Sequence, residues 1–150
     1  MLKAKKIILG CFILFFILPI SYSHEQEKNK NILVLYSLSP STPAYRPITD
    51  GIRKELVKAY GNSFYLHAEY LETERFPNHE YPGSKFELYN QKYEDVHLDL
   101  LVCVGIDIID PVKKYASSKI VNLPTVTIDF DLRRYGLEMN LELNERTTVV

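Results

Sequence analysis

Three aspartates, Asp107, Asp129 and Asp131, each follow a short apolar run, and these offer the most chemistry in the chain. If the runs are parallel strands, the three carboxylates gather at one edge of a sheet. Paired carboxylates can act as acid and base, hold a ligand's ammonium group or hydroxyls, or cap the helices that follow. Capping is the first role expected of Asp107; for Asp129 and Asp131, ligand contact and a solvated loop remain equal alternatives. Ser37 and Ser39 lie in a loop of hydroxyls and prolines, Ser37 to Pro43, ahead of a helical pattern. Such a loop can bind an anion at a helix N-terminus, although turn chemistry explains the same residues. Glu72 and Arg75 bring opposite charges into a long mixed loop, Leu71 to Gly83, where a local surface ion pair is the plainer reading. Gly105 closes the most apolar run and would let backbone approach a ligand closely.

Other chemistries lack their residues. His24, His67, His79 and His97 show none of the short spacings that place two metal ligands together. His67 and Glu69 share one face of a strand, where an edge strand carries polar residues outward. There is no Gly-x-Ser-x-Gly elbow and no glycine-rich phosphate loop. The reading is therefore non-enzymatic, with no cofactor and no metal. The alternatives are an exported α/β enzyme working through its strand-end carboxylates, or a self-associating interaction module.

The elements that position these residues alternate. Asp99-Leu100-Leu101-Val102-Cys103-Val104-Gly105 reads as a strand buried on both faces, and Ile32 to Tyr36 as a second. Helical patterns at Phe86 to Val96 and Ile108 to Ser118 flank the first. Ile48, Ile52, Leu56 and Tyr60 fall four apart on one helix face, with Gly61 as its stop. Phe64 to Tyr70 alternates apolar and polar, as a half-buried edge strand does. Ser84 is expected to cap a helix over about 84–94 that turns Phe86, Tyr89 and Tyr93 inward. Val112, Tyr115 and Ala116 face inward from the next helix, and Thr125 to Phe130 forms a fourth strand. Leu137, Met139, Leu141 and Leu143 alternate with polar residues and predict one more, with an apolar face. This order predicts an α/β fold with a doubly wound parallel sheet.

The amino terminus predicts export. Lys3, Lys5 and Lys6 precede fourteen apolar residues, Ile7 to Ile20, and Ser21-Tyr22-Ser23 supplies small residues for cleavage. Residues 1–23 thus read as a signal peptide, with an uncleaved anchor as the alternative. The only membrane contact expected is through that segment. Ile8-Leu9-Gly10-Cys11 is a poor lipoprotein box, because the apolar run continues past the cysteine. Cleavage removes three lysines and no acid, taking the net charge from −1 to −4. A mildly acidic chain without basic clusters has no nucleic-acid partner to expect. Cys103 alone remains, too few for an internal disulfide, and its apolar surroundings predict a packing role.

One family shows the same order of local sequences. Asn31-Ile32-Leu33-Val34-Leu35-Tyr36-Ser37, Asp50-Gly51-Ile52-Arg53, Glu69 to Phe76, Lys92-Tyr93 and Asp99 to Val102 carry the likeness. Residues 31–150 resemble the amino-terminal lobe of a periplasmic binding protein of the ABC-transporter substrate-binding type. More specifically, they resemble the form that serves as the extracytoplasmic sensor of two-component histidine kinases. The resemblance implies one lobe of a type I binding fold, a small-molecule ligand held between two lobes, and a periplasmic location. It divides the chain into a signal peptide (1–23), a disordered leader (24–30), the lobe (31–135) and a passage (136–150) toward a second lobe. Thr147 and Thr148 would then begin a helix. On this reading the sequence is a truncated form, and the stripe from Leu137 to Leu143 would drive self-association.

Overall fold

The computed structural model describes residues 29–76, 80–128 and 146–149. In chain order the elements are β1 (Lys30–Tyr36), α1 (Tyr45–Tyr60), β2 (Phe64–Tyr70), α2 (Glu80–Lys92) and β3 (Leu100–Val104). A 3-10 turn, Ile106–Ile108, leads into α3 (Ile109–Tyr115), α4 (Ser118–Val121), β4 (Thr125–Ile128) and β5 (Thr147–Val149). The strands form one sheet in the order β2-β1-β3-β4-β5, and every pairing is parallel. The α/β, doubly wound parallel sheet expected from the alternation is the fold observed.

Burial explains why the two most apolar runs became the central strands. Ile32 to Tyr36 and Leu101 to Val104 are nearly inaccessible, because helices cover both faces of β1 and β3. On one face, Leu56 of α1 packs with Ile32, Val34, Tyr36, Val102 and Val104, backed by Ile48 and Ile52. On the other, Phe86 and Tyr89 of α2, Val112 of α3 and Ile120 of α4 pack on Leu33, Leu35, Leu101 and Cys103. Phe86 and Tyr89 of α2 and Tyr93 just beyond it are buried as the sequence pattern selects, Pro82 is buried as well, and Tyr115 and Ala116 pack at the edge of the same cluster. Cys103 is wholly buried, and burial pushes its thiol pKa up to about 12, so it behaves as a small apolar side chain.

Several boundaries differ from the sequence pattern for local reasons. Strand β1 takes in Lys30, assigned above to the leader, whose N–H donates to the Ser63 carbonyl at 2.9 Å. Helix α2 starts at Glu80, with Pro82 in its first turn, where a missing N–H costs little. Ser84 is therefore no cap; its hydroxyl lies inside the helix, 3.5 Å from the Glu80 carbonyl. The pattern from Ile108 to Ser118 breaks at Ala116, whose backbone is extended. Asn90 bridges that break, donating to the Tyr115 carbonyl at 3.0 Å and accepting from the Ser117 N–H at 2.8 Å. Thr147–Val149 is a strand parallel to β4, not the start of a helix. The signal peptide, residues 24–28 of the leader and the Leu137 to Leu143 strand lie outside the described residues.

His67 and Glu69 also differ from expectation. They lie on the face of β2 that meets α2, not on an outward one. The Glu69 carboxylate accepts the Tyr93 hydroxyl and the Lys92 ammonium, both at 2.6 Å. The His67 ring lies edge-on to Tyr93 at 5.5 Å. Edge strand β2 is thereby fastened to α2 through polar groups.

Asp99 fastens the other end of the sheet. Its carboxylate accepts the Asn31 N–H at 2.9 Å and the Lys30 ammonium at 3.0 Å. Partial burial pushes its pKa upward, but the Asn31 N–H, Lys30 and His97 outweigh this and hold it below the usual carboxylate value. A depressed folded-state pKa gives stability that is complete above the unfolded value, about 3.9, and lost as pH falls through the folded one. Asp99→Asn should therefore flatten the acid limb of a stability profile and cost about 1–2 kcal/mol at neutral pH. Urea unfolding across that pH range tests this; an unchanged acid limb would refute it.

Candidate ligand site at the sheet's carboxyl edge

The chain leaves β1 toward β2 on one side and reaches β3 on the other, so the carboxyl ends of β1 and β3 form a topological switch point. Loops that diverge from adjacent parallel strands open a crevice there. Ser37 and Gly105 are the first residues beyond those two strands. Ser37 extends the ladder by donating its N–H to the Val104 carbonyl at 3.1 Å, and Gly105 donates to the Ile128 carbonyl at 2.9 Å. Gly105 has φ +105°, and a Cβ there would lie 2.2 Å from the Ser37 hydroxyl oxygen. The two loops touch in a way that only glycine permits.

Further bonds fix the rim. The Ser37 carbonyl accepts both the Thr73 N–H at 3.0 Å and the Thr73 hydroxyl at 3.1 Å, tying the loop after β2 to the loop after β1. Ser39 donates its N–H to Glu74 at 2.8 Å, and its hydroxyl pairs with that of Ser41. The Tyr45 hydroxyl, from the first turn of α1, accepts the Leu38 N–H at 2.7 Å and lies 3.2 Å from the Ser37 hydroxyl. Burial, followed by these bonds working the other way, leaves the Tyr45 pKa above its ordinary value. Tyr36 stacks on Tyr70 at 4.9 Å and meets Tyr45 at a tilt at 4.6 Å, making an aromatic floor under the β1–β2 side of the rim.

The expected site residues divide accordingly. Ser37 and Gly105 meet at the switch point, and Ser39 lies in the loop beyond, held to Glu74 and Ser41, with both serines buried. Glu72 and Arg75 do pair, at 3.2 Å, but Lys85 of α2 also reaches the Glu72 carboxylate at 3.5 Å, so Glu72 links loop to helix. Glu72 has φ +53°, a left-handed conformation that lets its carbonyl accept the Arg75 and Phe76 N–H groups. Arg75 itself is exposed. Asp107 is no cap: α3 begins after Ile108 and has no side-chain capping bond, and Asp107 stands exposed in the 3-10 turn. Asp129 and Asp131 lie outside the described residues.

Tyr45, Thr73 and Glu74, which were not among the expected site residues, also build this rim. The one available signal was position, since Tyr45 opens the helix that follows the serine loop and Glu74 sits between Glu72 and Arg75. Among the described residues no group of three His, Cys, Asp or Glu side chains could hold a metal ion. No helix among them is long and apolar enough to cross a membrane. No family model, curated protein or solved structure matches the chain.

Proposed function

We propose that this chain is an exported, non-enzymatic ligand-binding lobe. It would be of the kind used by ABC-transporter substrate-binding proteins and by the extracytoplasmic sensors of histidine kinases. The observation that carries the reading is the Ser37–Gly105 contact at the switch point. There Ser37 fills the space beside the Gly105 backbone, and hydroxyls, the exposed Asp107 carboxylate and a tyrosine floor lie along one rim. The lysine-flanked apolar start of the chain supports export. The rim supplies one wall of a cleft, and a small ligand needs most of its surface covered, so a facing wall would complete the site.

The test is a thermal-shift comparison of the full chain with free amino acids and nucleosides, each well above its dissociation constant. A ligand at about one hundred times that constant stabilises by about 2.7 kcal/mol, a shift of several degrees. The expected result is that one class raises Tm and that Asp107→Asn combined with Asp129→Asn abolishes the rise. No shift with any compound, or a shift that survives the double substitution, would overturn the assignment.

A further inference from the structure

The side chains that fasten β2 to α2 form a titratable cluster apart from the candidate site. His67 and Glu69, both half-buried on β2, meet Lys92 at the end of α2 and Tyr93 just beyond it. Among the described residues one ring nitrogen of His67 has a hydrogen-bond partner: Nε2 lies 3.1 Å from the side-chain oxygen of Asn31 on β1. A neutral imidazole carries one N–H, which that oxygen can accept; an imidazolium carries two and a positive charge. The carboxylate nearest to receive either is Glu69, on the same strand face. Its Oε1 already accepts from Lys92 and Tyr93. With His67 neutral, Glu69 and Lys92 balance; with His67 protonated, one carboxylate faces two cations. Beyond Asn31 the charges are matched separately, Asp99 with Lys30 at 3.0 Å and His97 at 3.8 Å.

We propose that His67 is an acid-operated release for this contact: on gaining a proton it opposes Lys92 beside the Glu69 carboxylate and loosens the last turn of α2 from β2. Burial first, and then the Lys92 ammonium, push the His67 pKa below its ordinary value of about 6.5, against a smaller upward pull from Glu69. Tyr93 keeps its proton, since burial and the Glu69 bond both raise its pKa. A base whose folded-state pKa is lowered gives stability that is complete above the unfolded value. That stability is lost as pH falls through the unfolded value toward the folded one. The turn concerned has two fastenings. On its far side Lys119 of α4 donates to the Tyr93 and Glu94 carbonyls at 3.2 and 2.7 Å. Acid removes the fastening on the β2 side and leaves this one. The inference is independent of the ligand-binding reading.

Amide hydrogen exchange followed by NMR on the full chain tests this, with rates corrected for their intrinsic pH dependence. The Tyr93 and Glu94 N–H groups close the turn on Tyr89 and Gln91, and the Ala116 N–H closes the end of α3 on Val112. Between about pH 7.5 and about pH 5, protection at Tyr93 and Glu94 should fall at least about fivefold relative to Ala116. His67→Gln keeps a donor for Asn31 and does not ionise, so it should abolish the fall; His97→Gln should leave it intact. Lys92→Met removes the opposing cation and should raise the midpoint of the His67 ring titration. Unchanged protection in the unsubstituted chain overturns the proposal, and so does a fall that survives His67→Gln or disappears with His97→Gln. If His67→Gln does not fold, the ring titration of the unsubstituted chain takes its place: a His67 midpoint below about 6.5 supports the release, and one at or above it overturns it.

Discussion

Replacing Gly105 by alanine should destabilise the fold by about 2–4 kcal/mol and, on the ligand-binding function proposed above, abolish the thermal shift with ligand. Two effects add. At φ +105° an L side chain is strained whatever the space around it, and the new methyl group would lie 2.2 Å from the Ser37 hydroxyl oxygen. Relief requires the β1 and β3 loops to separate, although Ser37 is held to Val104 and Thr73 and Gly105 to Ile128. The strain and the clash can be separated by a double-mutant cycle in urea. Ser37→Ala removes the nearer atom and leaves the Ser37 Cβ at 3.0 Å, so it should recover about 1 kcal/mol of the loss. Strict additivity of the two substitutions would show that the loops do not meet there.

Phe86→Ala should cost about 3–5 kcal/mol, a large share of the stability of a domain this size. Phe86 is completely buried, set edge-on to Tyr89 at 5.9 Å, in the cluster formed with Leu33, Leu35 and Leu101. It seals α2 over the two central strands, and neighbours bound to the sheet cannot collapse into the space it leaves. Leu88, two residues along the same helix, is 58% exposed, and Leu88→Ala should change stability by less than about 0.5 kcal/mol. Chemical unfolding followed by far-UV circular dichroism measures both. Similar losses for the two substitutions would mean that α2 does not pack by the face assigned to it.

The candidate site shows how unevenly sequence speaks about function. Ser37, Ser39 and Gly105 were legible because strand ends in an α/β pattern are where loops open, and these residues directly follow apolar runs. The contact of Ser37 with Gly105 was not legible, since it depends on β1 and β3 being neighbours although β2 lies between them in sequence. Glu72 was singled out for its charge, but its carboxylate is shared with Lys85, brought close by the packing of α2. His67 and Glu69 were assigned to an outward face by the habit of edge strands. The position of α2 reversed that, giving Glu69 a buried tyrosine hydroxyl and a lysine as partners.

By itself, the sequence determined the elements and their inward faces. Uninterrupted apolar runs at Ile32 to Tyr36 and Leu100 to Val104 have to be buried on both sides, and helical spacing selects Phe86, Tyr89 and Tyr93. These are local consequences of periodicity and the hydrophobic effect. Only the tertiary structure decided the strand order, the Ser37–Gly105 contact and the bridging of the α3–α4 break by Asn90. Each depends on which distant segments become neighbours, a choice made by crossover handedness and by the packing of helices on both faces of the sheet.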